Sequence, residues 1–534
     1  MAVYVAEEYT AEEAEVLRRY FTNLDGPVFA LVNLPEVVKG ALFARYARSP
    51  KSLRRLFLDE FVGDLDISGD QGVDATVGLR RAEELYDRVF LEYGDDSVAQ
   101  LGGVHLACEQ ASNLLTKVLE WGRLMSYLEQ STRYIAYDAR LGGRYRFYRD
   151  PAVLASPLGT RYVGDMDRMF DTYAQLLAPM QEFFRAEFPK EPGESDFVHR
   201  QAIRAKAFDS LRGLLPGASL SNVGIYGTGQ AYEQLLLRMR AHPLPEARRY
   251  CELMLIELRK VIPSFLKRVD LPERGGRWSE YLHDTRQATE DVVAAMFPDE
   301  GTPGEQGVRL VDFDPDGEVK LVAAIAFASS HLSQADLEAR AHRLTIDERR
   351  AVIEAYVGER VNRRHKPGRA LERLHYRFDV VADYGAFRDL QRHRMLTLEW
   401  QRLSPRHGFE RPDAIDAAGH RAPFDQSMER GAALYEALHV SFPEEAAYAL
   451  PLAYRVRFVL DLNARAALHL IELRSGAEGH PSYRAVAQDM WRLIRDQAGH
   501  HAVAAAMQQV DLRATPVLER LAPERRGAAR GKGT

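Results

Sequence analysis

Cysteine is almost absent from this 534-residue chain: Cys108 and Cys251 are the only two, far apart and in apolar surroundings. A disulfide framework is therefore excluded as the organising device, and two reduced core thiols in a cytoplasmic protein are expected. No Cys-x-x-Cys or His-Glu-x-x-His pattern occurs, and His500-His501 alone offers too little for a metal site. Long apolar runs are missing as well. The longest, residues 321–328, is far too short to cross a bilayer, and the N-terminus lacks the basic-then-apolar pattern of a signal peptide. Nor is there an excess of positive charge. With 71 Lys and Arg against 77 Asp and Glu the net charge is −6, which argues against a dedicated nucleic-acid binder. No membrane and no nucleic-acid partner are expected. What is present is an ordinary globular composition, 46% hydrophobic and 28% charged, in a chain long enough for about two to four domains.

Residues 389–407 hold the triplet Arg392-His393-Arg394, near the start of a run whose Leu390, Met395, Leu398 and Trp400 predict helix. Two guanidiniums flanking an imidazole suit an anionic ligand, because each guanidinium offers a planar, bidentate donor fork. The chain also carries Arg18-Arg19, Arg54-Arg55, Arg248-Arg249 and Arg363-Arg364, so a solvated surface run explains the triplet alone equally well.

A second, altered copy raises the triplet above that background. Residues 120–134 place Arg123 where Arg394 stands, 271 positions earlier (394 − 123 = 271). Each copy is preceded by a comparable stretch, residues 94–100 and 367–372. Each is followed by Leu-Pro (Leu215-Pro216, Leu450-Pro451) and then by a predicted helix ending in Arg240 or Arg474. The chain reads as a diverged tandem duplication. Arg123 to Pro216 spans 93 residues and Arg394 to Pro451 spans 57, so the first copy carries an insertion of 36 (93 − 57), placed at about residues 139–175. The boundaries predicted are a helical extension over 1–24, repeats over 25–275 and 308–515, a linker over 276–307 and a basic, Gly-rich, disordered tail over 516–534. Helices are expected at 37–47, 79–92, 199–215, 230–239, 248–266, 346–357, 371–381, 387–403, 427–438 and 454–473, with a strand at 28–32 and a polar loop at 68–76. Residues 98–128 form a long, apolar, periodic run, and residues 308–325 read as strand, turn, then strand or helix.

The chemistry-bearing residues divide between the copies. The second has Asn463-Ala464-Arg465, His469 and Arg474, polar groups beside an apolar stripe that need ion-pair partners or a bound anion. An exposed arginine-rich face explains that helix alone about equally well. At the equivalent places the first copy has Gly229, Ala231 and Leu235, and only Arg240 persists; Trp121-Gly122 replaces Arg392-His393. In return the first copy has Glu129-Gln130-Ser131-Thr132-Arg133-Tyr134, against Trp400 to Pro405, and Arg212 against Ala447. A carboxylate, a hydroxyl and two arginines suit a nucleotide, although Glu129 and Arg133 by themselves read as a simple i, i+4 ion pair.

These motifs resemble the flavin-dependent thymidylate synthases, whose signature runs Arg-His-Arg, seven residues, then Ser-x-Arg within Glu-Gln-Ser-Thr-Arg-Tyr. The second copy supplies the first part and the first copy the second. The family's later Asn-Ala-Arg, His, Leu-Arg helix matches Asn463 to Arg465, His469 and Leu473-Arg474. Its Gly-His-x-Ser-x-x-Glu segment is approached by residues 94–100, with Asp95 for His and Gln100 for Glu, while the second copy keeps Glu372.

The resemblance implies an α+β, helix-rich fold in two copies, arranged as a fused pseudo-dimer, with a homodimer resembling the family's tetramer. It implies FAD held by Arg392, His393, Arg394, Asn463, Arg465, His469 and Glu372. It implies dUMP held by Glu129, Gln130, Ser131, Arg133, Arg212 and Arg474, with Arg474, Arg394 and His393 acting at the reaction centre. NADPH and methylenetetrahydrofolate would be co-substrates in making dTMP. The partition of the two residue sets points to one type of composite site kept and the other abandoned. Two other readings remain open: a non-catalytic flavin- or nucleotide-binding homologue, and a related flavoenzyme acting on a modified pyrimidine nucleotide.

Overall fold

The computed structural model describes residues 4–34, 36–60, 102–298 and 307–513, with 518 and 521. The loop and helix expected at 68–76 and 79–92, the segment 94–100, residues 299–306 of the linker and all of the tail region except 518 and 521 lie outside these residues. The described chain forms two compact units, each built on a four-stranded antiparallel sheet flanked by helices. In the first unit the strands are β1 (Val28–Leu31), β2 (Gly103–Ser112), β3 (Met125–Glu129) and β4 (Leu220–Thr228), in the order β1-β2-β4-β3. In the second they are β5 (Gly307–Phe313), β6 (His375–Asp383), β7 (Thr397–Trp400) and β8 (Arg455–Asn463), in the order β5-β6-β8-β7. The same order twice is the duplication written in hydrogen bonds, and the α+β, two-copy architecture follows from it.

Register fixes the equivalences. Glu129 pairs with Val223 across β3 and β4, and Trp400 pairs with Phe458 across β7 and β8. Glu129 and Trp400 are therefore equivalent at the offset of 271 inferred from Arg123 and Arg394 (400 − 129), and β4 and β8 at an offset of 235 (458 − 223). The offset of 235 continues into the next helix: Thr228 caps Gly229–Arg240 through the Ala231 N–H, as Asn463 caps Ala464–Arg474 through the Ala466 N–H. Thr228, not Gly229, thus holds the place of Asn463, and the alignment of Gly229, Ala231 and Leu235 shifts by one residue.

Several expected helices are strands. In β8 the side chains of Val456, Phe458, Leu460 and Leu462 are buried at every second position, a period of two that a helix cannot present to one face. The expected helix at 454–473 is therefore β8 followed by Ala464–Arg474. Residues 371–381 are a short 3-10 turn, Arg369–Arg373, leading into β6. Residues 387–403 divide into the helix Tyr384–Gln391, started by the Asp383 side chain on the Ala386 N–H, and strand β7. Arg392-His393-Arg394 lies at the helix exit and not inside a helix. Residues 103–128 are β2, the helix Asn113–Leu119 and the start of β3, and 248–266 breaks at Pro263. The expected linker is helical over Arg277–Met296. Residues 308–325 resolve as strand, turn and the helix Gly317–Phe327. The N-terminal helix is confined to Ala11–Arg18, held by a Thr10–Glu13 capping box, and packs Leu17 into a core with Phe29 and Phe57.

The units do not follow the repeat boundaries. Residues 175–214 belong to the second unit and 429–449 to the first, so in each copy the segment ending just before Leu-Pro is exchanged. In the second unit the Ala453 N–H donates to the Gly213 carbonyl at 3.0 Å; in the first, the Ala218 N–H donates to the Tyr448 carbonyl at 3.1 Å. Both pairs are related by 235 positions (453 − 218; 448 − 213), so this is one bond made twice. The N-caps Ser112 and Asp383, 271 positions apart (383 − 112), make matching contacts with the chemistry reversed. Ser112 donates to Glu246 in the first unit, and Ser482 donates to Asp383 in the second. Both cysteines are buried free thiols, and no helix among the described residues is long and apolar enough to cross a membrane.

Candidate functional site

The segment exchange brings Arg212 into the second unit. It sits against the N-terminal end of the helix Tyr384–Gln391, 3% exposed. Its Nη1 donates to Asp389 Oδ2 at 3.2 Å, and its Nη2 lies 3.8 Å from Asp383 Oδ1. Its Nε and Nη2 are buried without a hydrogen-bond partner among the described residues. Glycine at 385 makes room for it, since a Cβ there would lie 3.1 Å from both Cζ and Nε of Arg212. Leu114 occupies the equivalent place in the first unit (385 − 271), where Ala447 replaces Arg212. The arginine and the glycine occur together in one unit, and neither occurs at the equivalent places in the other.

Asp389 collects three guanidiniums. Besides Arg212, it accepts from Arg392 Nη2 one helical turn on, and Arg474 Nη1 lies 3.8 Å from Oδ1. Arg474 in turn donates from Nε to His393 Nε2 at 2.9 Å. That bond makes Nε2 the acceptor, so the ring proton sits on Nδ1. Burial pushes the His393 pKa well below the usual histidine range, and the charges of Arg474, His469 and Arg392 push the same way. A neutral imidazole at pH 7 follows. The His469 ring lies 5.6 Å from that of His393, edge to face, and burial together with Lys366, Arg363 and Arg474 brings its pKa down to about 4. Burial also works against the charge of Arg474, with Asp389 opposing that effect.

Arg363 and Lys366 stand on a loop that a buried ion pair ties down. Arg360 meets Glu472 through two bonds of 2.5 and 2.7 Å and the His365 carbonyl through a third of 2.5 Å. Beyond His469, Arg465 donates from Nε to the Pro367 carbonyl at 3.0 Å and from Nη1 to Glu372 at 3.1 Å. The Arg369 guanidinium, then Arg465, holds the Glu372 carboxyl below its usual range. Asn463 uses its side-chain oxygen on the helix cap, which leaves its amide hydrogens for other partners. Arg394 is exposed. This gathering of guanidiniums, an ammonium and two neutral imidazoles fits the phosphates and polar ring edge of a flavin nucleotide.

The other predicted residues lie in the first unit. Glu129 accepts from buried Lys117 at 3.3 Å, and Lys117 also meets Glu120 at 2.5 Å. Gln130 donates to the Ser49 carbonyl at 2.7 Å, a strut between segments. The Ser131 hydroxyl accepts from the Arg133 N–H at 3.2 Å, and Arg133 is 8% exposed. Arg212, grouped with these four by the sequence, is instead gathered with Arg392 and Arg474. Asp389, Asp383, Ser482 and Gly385 had not been singled out. The i, i+3 spacing of Asp389 and Arg392 carried a signal, while contacts of Arg212 with residues some 170–180 positions away carried none.

Comparison with known proteins agrees with this arrangement. A family model described as thymidylate synthase complementing protein matches twice, over residues 57–264 and 309–498. A UPF0159 protein of Chlamydia muridarum is 40% identical over 487 residues, covering 90% of this chain and 92% of its own. A UPF0159 protein of Chlamydia pneumoniae is 39% identical over 494 residues (91% and 93%), and one of Thermoplasma acidophilum, Ta1429, is 29% identical over 521 (93% and 99%). The names of these relatives state no activity. The two family matches cover β2, β3 and β4 of the first sheet and nearly all of the second, and the chain belongs to the flavin-dependent thymidylate synthase complementing protein family as a tandem, duplicated member.

Proposed function

We propose that the chain is a cytoplasmic flavin-dependent thymidylate synthase that converts dUMP to dTMP, with methylenetetrahydrofolate as carbon donor and NADPH as reductant. The observation that carries this reading is the convergence of Arg212, Arg392 and Arg474 on one point beside a neutral His393. Arg212 and Arg474 present donors to the nucleotide phosphate. Arg392, Arg394, Arg465 and His469, with Asn463 and Glu372 as supports, hold the cofactor. His393, neutral and fixed by Arg474, orients rather than donates charge, and Arg394 and Arg474 oppose negative charge developing on the pyrimidine. Bound FAD supplies the hydride, so no protein nucleophile is required, which suits a chain whose two thiols are buried. Glu129, Gln130, Ser131 and Arg133 complete the nucleotide set by their residue types. Two chains associate as a homodimer in place of the family's tetramer.

Tritium release from ring-labelled dUMP, measured with FAD, NADPH and methylenetetrahydrofolate supplied, tests this reading. Release that requires all three supports it, and no release with flavin demonstrably bound removes it.

A further inference from the structure

The helix Arg277–Met296 belongs to neither family match, the first of which ends at 264 and the second of which begins at 309. Only its first half rests on the first unit. Ser279 is buried, Leu282 and Arg286 are half-buried, and Arg286 donates from Nη1 to the Ala241 carbonyl at 2.6 Å. Residues 287–296 are all exposed. Helical segments shorter than about 12–15 residues are marginal in water unless an apolar face packs against something. This one also contains the β-branched Thr289, Val292 and Val293, which favour helix only weakly.

One exposed face of the helix is apolar along its whole length. Trp278, Tyr281, Thr285, Ala288, Val292 and Met296 recur at spacings of three and four, which sets them in one stripe turned away from Ser279 and Arg286. Its four large members are between 47 and 70% exposed. A continuous run of this kind marks an interaction surface, where scattered apolar residues would not. The threonines add to it. Thr285 and Thr289 donate their hydroxyls to the carbonyls of Tyr281 and Thr285, each at 2.7 Å, which satisfies the polar atoms within the helix and leaves the methyls to the outside.

We propose that this stripe pairs with the same stripe of a second copy of the chain, the two helices running antiparallel about a twofold axis. The stripe is complementary to itself in size and in charge. With Tyr281 opposite Thr285 of the second copy, Trp278 falls opposite Ala288 (281 + 285 = 278 + 288), so each aromatic ring meets a small residue. A parallel pair would set ring on ring and alanine on alanine. Arg277 and Asp291 flank the stripe on one side, and helical side chains lean toward their own N-terminus. In the antiparallel register they therefore lean toward each other across the pair, and the symmetry makes that contact twice. A parallel pair gives Arg277 no acidic partner. Asp284 meets its own copy near the axis, and that repulsion is the cost of the register. The pairing does not rest on the enzymatic reading, because it uses no residue assigned to flavin or dUMP.

The test is sedimentation velocity of the full-length chain over a range of concentrations, without flavin or substrate. The double variant Tyr281→Asp, Val292→Asp should halve the number of chains per particle; both positions are exposed, so the body of the first unit still folds, and its thermal melt checks this. Arg277→Glu should weaken the association at least threefold, and the swap Arg277→Glu, Asp291→Arg should restore it. Asp284→Asn should strengthen it. A wild-type chain that sediments singly at every concentration, or a particle mass unchanged by the double variant, overturns the pairing. Weakening by Arg277→Glu without recovery in the swap overturns the antiparallel register. Failure of the thymidylate synthase reading would appear separately, in flavin binding and turnover, with the particle mass unaffected.

Discussion

Replacing Arg212 by alanine removes a guanidinium that is almost fully buried and stands between two carboxylates. Breaking a buried ion pair by deleting one partner costs about 3–5 kcal/mol when the other charge is left alone. Here neither carboxylate is left alone. Asp389 retains Arg392 and Arg474, and Asp383 retains the Ser482 hydroxyl and the Ala386 N–H. The expected stability loss is therefore smaller, about 1–3 kcal/mol, read as a lower urea midpoint at unchanged m-value. The ligand effect is the sharper one. Charge-assisted hydrogen bonds contribute roughly 1.5–3 kcal/mol, so losing one from a phosphate weakens dUMP binding about 10- to 150-fold. Flavin affinity should change by less than about threefold, because Arg465, His469 and Lys366 are untouched. Arg212→Lys should recover only part of the loss, since an ammonium keeps the charge but not the fork. Titration calorimetry of the flavin-loaded protein with dUMP reads the result. If stability falls as expected while dUMP affinity stays within threefold, Arg212 serves only to pin Asp389, and its assignment to the nucleotide is wrong.

Four further outcomes are expected. Gly385→Ala places a methyl 2.9 Å from Asp383 Oδ1 and 3.1 Å from Arg212 Cζ, so it should weaken dUMP binding like a mild Arg212 variant and destabilise by about 1–3 kcal/mol in urea; normal nucleotide affinity would contradict the placement of Arg212. Arg360→Ala removes both bonds to Glu472, which is 1% exposed, and should cost about 3–5 kcal/mol while loosening flavin through Arg363 and Lys366; a loss below 1 kcal/mol would contradict the anchoring role. Arg133→Ala should weaken dUMP with flavin still bound, and loss of flavin with dUMP affinity intact would contradict that division of labour. His393 and His469 have folded pKa values below their unfolded ones, that of His469 about 4. The unfolded chain therefore binds more protons as the pH falls from about 6.5 toward 4, and stability should decline across that window. His469→Gln should flatten the decline, and an unchanged slope in thermal melts would assign it elsewhere.

Much of the design was legible in the residues themselves. The repeat, its offset of 271 and the division of motifs rest on local strings such as Arg392-His393-Arg394 and Glu129 to Tyr134, which survive reading one segment at a time. Helix and strand were confused where both periods fit a short apolar run. Leu390, Leu398 and Trp400 suit a helical stripe until the turn after Gln391 and the pairing of β7 with β8 are known. The alignment error at Gly229 has a similar origin, since matching Arg240 to Arg474 hid that Thr228 and Asn463 are the paired caps.

The segment exchange was not legible at all. Nothing local tells residues 175–214 to join the second unit, because the stabilising contacts, Arg212 with Asp389 and His480 with the Asp209 carbonyl at 3.0 Å, span 177 and 271 positions. Yet the exchange gives the complementary losses a physical reason. Arg212 was kept because it is gathered with the unit that kept Arg-His-Arg, and Ala447 was tolerated because it is gathered with the unit that lost it.

The most direct measurement is the visible absorption spectrum of the purified protein, recorded alone, after addition of FAD, and after addition of dUMP. A bound-flavin spectrum that shifts when dUMP is added is the expected result, because the arginines assigned to the nucleotide adjoin His393 and the cofactor set. A protein that binds no flavin even in excess would make the Arg392-His393-Arg394 cluster an internal ion-pair network built around Asp389, and the enzymatic reading would fall with it.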